Sequence, residues 1–211
     1  MPGRITIDLF TTLDGVAQAP GGPEEDTEGG FPFGGWQAPL VDDTVGEAVG
    51  SALADIDALL LGRKTYDIFA AYWPHQEDGM DSDIARQFNE VPKYVASRGA
   101  PQLDWAGSTQ IGSDLASEMA LLRDRHRNIH VIGSIDFAHS LLAAELYDEL
   151  ALWVYPIVLG QGKKVFPDGA VPANLNLLAP AITSDSGAVL LRYAPAGVPT
   201  TGDMSRPDRG V

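Results

Sequence analysis

The sequence predicts an α/β fold: a mixed, mostly parallel central sheet flanked by helices, ending in an antiparallel C-terminal hairpin. Up to about residue 144, short apolar β-type runs alternate with runs of helical period, the pattern of a parallel sheet with helical crossovers. After Glu149 that pattern stops. Apolar runs at 150–159, 176–183 and 188–193 follow one another with no helix between them, which favours antiparallel strands added at one edge. The chain has 211 residues and is 45% hydrophobic, which suits one domain with a full core.

Residues 4–10 read as the first strand, with Ile5, Ile7 and Leu9 on one face and Thr6, Asp8 and Phe10 on the other. A strand this apolar belongs in the middle of the sheet. Asp14-Gly15 is the turn that ends it. Asp14 has two readings, a turn former whose carboxylate bonds local backbone, or an acid facing a ligand at a strand's carboxyl end. Residues 16–40 are rich in Gly, Pro and acid, with Phe31, Phe33 and Trp36 embedded. A loop this long in a compact domain is usually functional or disordered. Asp42 or Asp43 can cap a helix whose buried stripe is Val45, Val49, Ala52, Leu53 and Ile56.

Residues 57–61 form the next strand, and Gly62 breaks it. Tyr66, Phe69, Ala70 and Trp73 then repeat at helical spacing, so Arg63, Lys64 and Thr65 fall on a helix's first turn. Trp73-Pro74-His75 ends that element, and 81–90 is a further short helix. A strand at 93–97 exits through Ser97-Arg98-Gly99, and 109–112 is another. Asp114 caps a helix to about His126, with Leu115, Met119 and Leu122 inside. A strand at 129–132 exits through Gly133-Ser134 into a helix over 137–144. Residues 194–211 are Pro, Gly and charge without periodicity, a flexible tail behind one domain at 1–193.

Open α/β sheets bind ligands at the carboxyl ends of their parallel strands. Three exits here suit an anion: Gly62-Arg63-Lys64-Thr65, Ser97-Arg98 and Gly133-Ser134. The first turn of a helix offers free N–H groups and the positive end of the dipole. Arg63 adds a planar fork and Thr65 a hydroxyl. The alternative is a set of solvated surface turns. Asp136 is a misfit, since as the cap of its helix it would compete with a phosphate. The net charge of −15 disfavours nucleic-acid and anionic-membrane binding, so any phosphate must be held by a local basic cluster.

With no cysteine, disulfides, thiolate zinc sites and cysteine nucleophiles are excluded. His75, His126, His130 and His139 form no HxH or HExxH, so no metal is expected. There is no GxSxG elbow and no GxGxxG. Gly160-Gln161-Gly162-Lys163-Lys164 follows a late strand and reads as a hairpin turn. No apolar run approaches about 20 residues, so no membrane span is expected. With no signal peptide in view, the expected location is cytoplasmic.

A strand ending in Gly62-Arg63-Lys64-Thr65-Tyr66 resembles the cofactor turn of the dihydrofolate reductase superfamily. More narrowly, it resembles the stand-alone relatives of the riboflavin-pathway reductase domain. Matching pieces recur in order: Thr12-Leu13-Asp14-Gly15, this turn, Tyr94 to Arg98, Val131-Ile132-Gly133-Ser134, Asp148-Glu149-Leu150, and Pro156 to Lys163. Together they span roughly residues 4–193. The resemblance implies a dihydrofolate reductase-like fold and an NADPH-dependent reductase. Such an enzyme passes a hydride to a small heterocyclic or sugar-derived C=N or C=O substrate, as a relative of 5-amino-6-(5-phosphoribosylamino)uracil reductase. It implies NADP(H), with Arg63, Ser97 and Arg98 near the 2′-phosphate and Gly62, Lys64, Thr65, Gly133 and Ser134 along the pyrophosphate turns. It makes 16–40 a lid with Phe33 and Trp36 on the substrate side, the alternative being an apolar anchor. Asp14 is then the first candidate proton donor, with water as the default. A homodimer is implied, its second subunit covering the edge formed by the 150–159 strand and the segments that follow it.

Three positions depart from the riboflavin-pathway pattern. Asp8 stands where those reductases have a lysine, Ile132 where they have an acid before the late glycine pair, and Phe69 where a third acid follows the first cofactor turn. Dihydrofolate reductases carry an acid on the helix after the lid, and Asp43 and Glu47 lie in that region without matching a motif. The cofactor half of the site looks retained and the substrate half diverged. Two other readings are a non-catalytic NADP(H)-binding sensor or scaffold, and a fold relative that has lost its ligand.

Overall fold

The computed structural model describes residues 2–76, 78 and 82–205. Among these, nine strands form one sheet: β1 (Arg4–Thr12), β2 (Ala58–Gly62), β3 (Lys93–Ala96), β4 (Ser108–Ile111), β5 (Asn128–Ile132), β6 (Glu149–Tyr155), β7 (Leu175–Leu177), β8 (Ile182–Thr183) and β9 (Val189–Pro195). The helices are α1 (Asp43–Leu53), α2 (Arg63–Tyr72), α3 (Ser82–Glu90), α4 (Leu115–Arg125) and α5 (Ile135–Ala143). Across the sheet the order is β4-β3-β2-β5-β1-β6-β9-β7, with β8 also on β9. The first six strands run parallel, and β7, β8 and β9 join antiparallel.

Both faces of the parallel part are buried, so its strands are apolar throughout rather than alternating. On one face Ile5, Ile7, Leu60 and Val131 pack with Met119, Leu122, Phe137 and Leu141. On the other, Leu59, Leu61 and Val95 pack with Leu53, Tyr66, Phe88 and Trp105. Lys93 lies within this second face. Its ammonium donates to the carbonyls of Asn89 (2.7 Å) and Ala106 (3.1 Å) and sits 4.4 Å over the Trp105 ring. A third cluster joins Val16, Trp36, Val45, Trp153 and Tyr155 near the C-terminal edge.

The element boundaries differ from the sequence expectation where prolines and caps intervene. β6 stops at Tyr155, because Pro156 has no N–H for the ladder. Nor is β6 an edge, since β9 covers it within the chain. The single strand expected at 176–183 is two, β7 and β8, separated by Ala179-Pro180. β9 continues to Pro195, and residues 196–198 are tied to Asn174 by three hydrogen bonds of 2.8–3.1 Å. Residues 206–211 and Asp81, the expected start of α3, lie outside the described residues.

Asp42 caps α1, accepting from the Val45 N–H at 3.0 Å, and it also accepts from the Ser186 N–H at 2.8 Å. These bonds, Val45 first, hold its carboxyl down to about 2. In α1's stripe Val45 and Leu53 are buried, Ala52 is exposed, and Ile56 packs beyond the helix end. No described helix is long and apolar enough to cross a membrane.

Candidate active site

β3, β2, β5 and β1 are neighbours, so their carboxyl ends form one continuous rim. The register Gly62↔Ala96 puts Arg63 beside Ser97. One strand further on, the Gly62 N–H donates to Ser134 Oγ at 2.7 Å, joining the exits of β2 and β5. The Gly133 N–H donates to the Asp8 carbonyl at 3.4 Å, joining β5 to β1. A cleft of about 1050 Å³ opens along this rim. Gly62, Arg63, Lys64, Thr65, Ser97, Arg98, Gly133 and Ser134 all line it. All eight positions proposed for the cofactor are therefore brought together.

The local geometry fits a phosphate-bearing group. Neither α2 nor α5 has a side-chain cap, so first-turn N–H groups of both remain available at the cleft. Asp136 is not the cap of α5, contrary to expectation; it lies in the first turn, where its charge suits the dipole but opposes a phosphate. Gly133 adopts φ +68, a conformation that penalises any side chain. A Cβ on Gly62 would lie 2.7 Å from that of Ser134.

Ser134 is itself left-handed at φ 58, a conformation that favours glycine. Its hydroxyl accepts from the Gly62 N–H and donates to the Gly62 carbonyl (3.2 Å), which holds the strained turn. That hydroxyl is occupied by backbone, leaving only the Ser134 main chain to face a ligand. The Arg63 guanidinium folds back along its helix, Nε donating to both Asp67 oxygens at 2.7 and 2.8 Å. Arg98 is exposed and makes no ion pair with any described residue. Its turn is braced by Gln110, whose amide donates to the Ser97 and Gly99 carbonyls at 3.2 and 2.6 Å.

Lys64 has partners that sequence spacing did not reveal. Its ammonium donates to Asp26 (2.8 Å) and Glu28 (2.6 Å) of the 16–40 loop, and Lys163 donates to the same pair at 3.0 and 2.6 Å. Burial alone would raise the Asp26 carboxyl, but bonds from Lys64, Lys163 and the Glu28 N–H hold it down to about 2. Burial works against the Lys64 ammonium, yet the two carboxylates hold its pKa above the ordinary lysine value. Gln18 organises this loop, donating to the carbonyls of Asp26 and Glu28 and accepting from the Lys163 N–H.

The loop residues that line the cleft include Gln18, Glu25, Asp26, Glu28 and Gln37 but none of its aromatics. Trp36 is buried, its indole N–H donating to the Gln18 carbonyl at 2.8 Å and its ring edge-on to Tyr155. Phe33 is 42% exposed and packs on Phe31. Neither is among the residues that line the cleft, and Trp36 ties the loop to the body. An indole needs an acceptor as well as apolar cover, and the protein body supplies both there.

Asp14 also lies outside the cleft. Its carboxylate accepts from the Thr12 hydroxyl (2.6 Å) and from the Leu159 and Gly160 N–H groups (3.2 and 2.8 Å). The Thr12 bond foremost lowers its pKa. These bonds pin the β1 turn to the loop after β6. Asp43 and Glu47 do not line the cleft either; Val49, Ala52 and Leu53 do.

The three departures from the riboflavin-pathway pattern, Asp8, Ile132 and Phe69, all line the cleft. Asp8 brings a partner, His130, whose Nδ1 lies 2.6 Å from Asp8 Oδ2. That pair, with Gln18 and Lys163, was not selected from the sequence. The alternation on β1 put Asp8 on a shared face with Thr6 and Phe10, but strand register alone brings His130 across.

Residues 4–190 match the RibD C-terminal domain. The chain belongs to that family. The uncharacterized protein YyaP of Bacillus subtilis (strain 168) is 28% identical over 192 residues, 90% of this chain and 94% of that one. A crystal structure from Shewanella sp. PV-4 superposes with TM-score 0.69 at 16% identity, covering 92% of this chain and 99% of that one. The diaminohydroxyphosphoribosylaminopyrimidine deaminase/5-amino-6-(5-phosphoribosylamino)uracil reductase of Thermotoga maritima superposes with TM-score 0.59 at 15% identity, covering 92% of this chain and 57% of that one. At such identities the likeness is one of fold. The RibD C-terminal domain here has the dihydrofolate reductase-like architecture, with its mostly parallel sheet and antiparallel C-terminal strands.

Proposed function

We propose that this RibD-family domain is an NADPH-dependent reductase of a small C=N or C=O compound. The observation that carries the reading is the shared rim: three adjoining strand exits, two uncapped helix N-termini and two arginines on one cleft. Arg63, Ser97 and Arg98 would hold the 2′-phosphate. The first turns of α2 and α5, with Thr65 and Gly133, would take the pyrophosphate. When bound, NADPH supplies the hydride for the substrate carbon, and the neighbouring nitrogen or oxygen takes a proton, with water as its source. The protein's own part is to orient the two molecules and exclude bulk water. An anionic group reaching Lys64 must compete with Asp26 and Glu28 for its ammonium.

The test is NADPH consumption against a panel of cyclic imines, pyrimidines and sugar-derived carbonyl compounds. Turnover of at least one supports the reading. Binding of NADPH without turnover of any would favour the sensor or scaffold alternative.

We also propose that the domain works as a homodimer. The sheet ends at β7 and β8, and Leu177, Leu178 and Ile182 are exposed there. An apolar unpaired edge invites another chain. Light scattering at micromolar concentration is expected to give the dimer mass, and the doubly substituted Leu177→Asp, Ile182→Asp protein the monomer mass. A wild-type monomer contradicts this.

A further inference from the structure

We infer that Asp8, steadied by His130, is the residue that reads the substrate, and that it selects a flat, unphosphorylated heterocycle presenting N–H donors. The inference rests on the reductase reading of the cleft.

Asp8 lies on the central strand, one strand from the Gly133 turn. Its main-chain oxygen accepts from the Gly133 N–H, so it adjoins the part of the rim assigned to the cofactor. A carboxylate oxygen only accepts, so His130 Nδ1–H donates to Oδ2. The His130 side chain is 4% exposed and that of Asp8 is 19%. The imidazole is thus locked in the sheet while the carboxylate reaches the cleft. Asp8 Oδ1 accepts no hydrogen bond from any described residue.

The strand neighbours of Asp8 are apolar. Its register partners are Ile132 and Ala151, Phe10 follows on the same face, and Val49, Leu53, Phe69 and Trp153 line the same cleft. Arg192 feels the Asp8 charge, but both Glu149 oxygens hold its guanidinium, and it does not line the cleft. An acceptor half withdrawn from water among apolar side chains is unfavourable until a donor meets it. A ligand N–H supplies that donor, and a flat ring suits a cleft that Phe10, Phe69 and Trp153 line.

A phosphate finds the opposite. The cations that line the cleft are Arg63 and Arg98, assigned to the cofactor, and Lys64 and Lys163, both paired with Asp26 and Glu28. None remains to offset a second phosphate, and Asp8 repels it. The lysine that riboflavin-pathway reductases carry at this position is thereby inverted in charge.

Three probes test this by calorimetric titration, each with and without saturating NADPH: 2-amino-4-hydroxypyrimidine, 2-dimethylamino-4-methoxypyrimidine, which lacks the donors, and ribose 5-phosphate. Wild-type protein is expected to bind the first about tenfold or more tighter than the second, the size of one charge-assisted bond. Ribose 5-phosphate should not compete with it. Asp8→Asn should erase the difference between the pyrimidines and leave NADPH affinity unchanged. His130→Phe should erode that difference, and His130→Gln, which keeps a donor to Asp8, should preserve it.

Equal binding of the two pyrimidines by wild type, binding of neither, or displacement by ribose 5-phosphate overturns the inference, and none of these results requires a variant to fold. Donor-selective binding in a protein that ignores NADPH would instead uphold Asp8 and defeat the cofactor reading.

Discussion

Arg98→Ala is expected to weaken NADPH binding by about tenfold to a hundredfold and to leave NADH binding unchanged. One charge-assisted hydrogen bond to the 2′-phosphate is worth about 1.5–3 kcal/mol, and each 1.4 kcal/mol is a factor of ten. NADH has a hydroxyl there and loses little. Arg63→Ala should act in the same direction but less strongly. Arg63 must first leave Asp67, an exposed i,i+4 pair worth roughly 0.3–0.5 kcal/mol, whereas Arg98 has no such partner to give up. The net charge of −15 opposes the extra phosphate at low salt, so the wild-type preference should widen as salt screens that field. Fluorescence titration of both cofactors against the three proteins measures this. Both variants should keep the wild-type melting temperature, since neither side chain packs in the core.

Folding stability is expected to rise between about pH 8 and 10, by on the order of 3 kcal/mol, through Lys93. Burial pushes its pKa down to about 8 from an ordinary 10.5. In that window the unfolded chain still binds the lysine proton and the folded chain has released it, so raising the pH favours the fold. Two carbonyls and the Trp105 ring favour the charged form and trim the effect. At still higher pH the sign reverses. Burial pushes the Tyr155 phenol up to about 12, so the folded state keeps a proton that the unfolded state loses. Urea unfolding across this range gives the profile. Lys93→Met should flatten the rise; a wild-type profile that falls from pH 8 would contradict the assignment.

The rim formed by the strand exits was legible because its signals are local. Gly62 ends β2, helical period begins at once, and Arg63 is therefore on a first turn whatever the rest of the chain does. The same holds for the Gly133-Ser134 exit. Sheet class was legible for a similar reason, since the change of pattern at Glu149 marks where crossovers cease. The contents of the cleft beyond the rim depend on contacts distant in sequence. His130 meets Asp8 across 122 residues, and Lys64 meets Asp26 across 38. Phe33 and Trp36 were placed by residue type, and an amphipathic aromatic suits a body anchor as well as a binding wall. The bonds of Asp14 to the Leu159 and Gly160 N–H groups likewise join residues 145 and 146 positions apart. The order of strands at the C-terminal edge was not legible, because β9, arriving last in the chain, pairs with β6 and leaves β7 outermost.

Titration of the wild-type protein with NADPH and with NADH tests the central claim most directly. The rim, with its two arginines, predicts saturable binding of NADPH at least tenfold tighter than that of NADH. Equal affinity for the two, or no binding of either, would contradict it and leave Arg63 and Arg98 as solvated residues of surface turns.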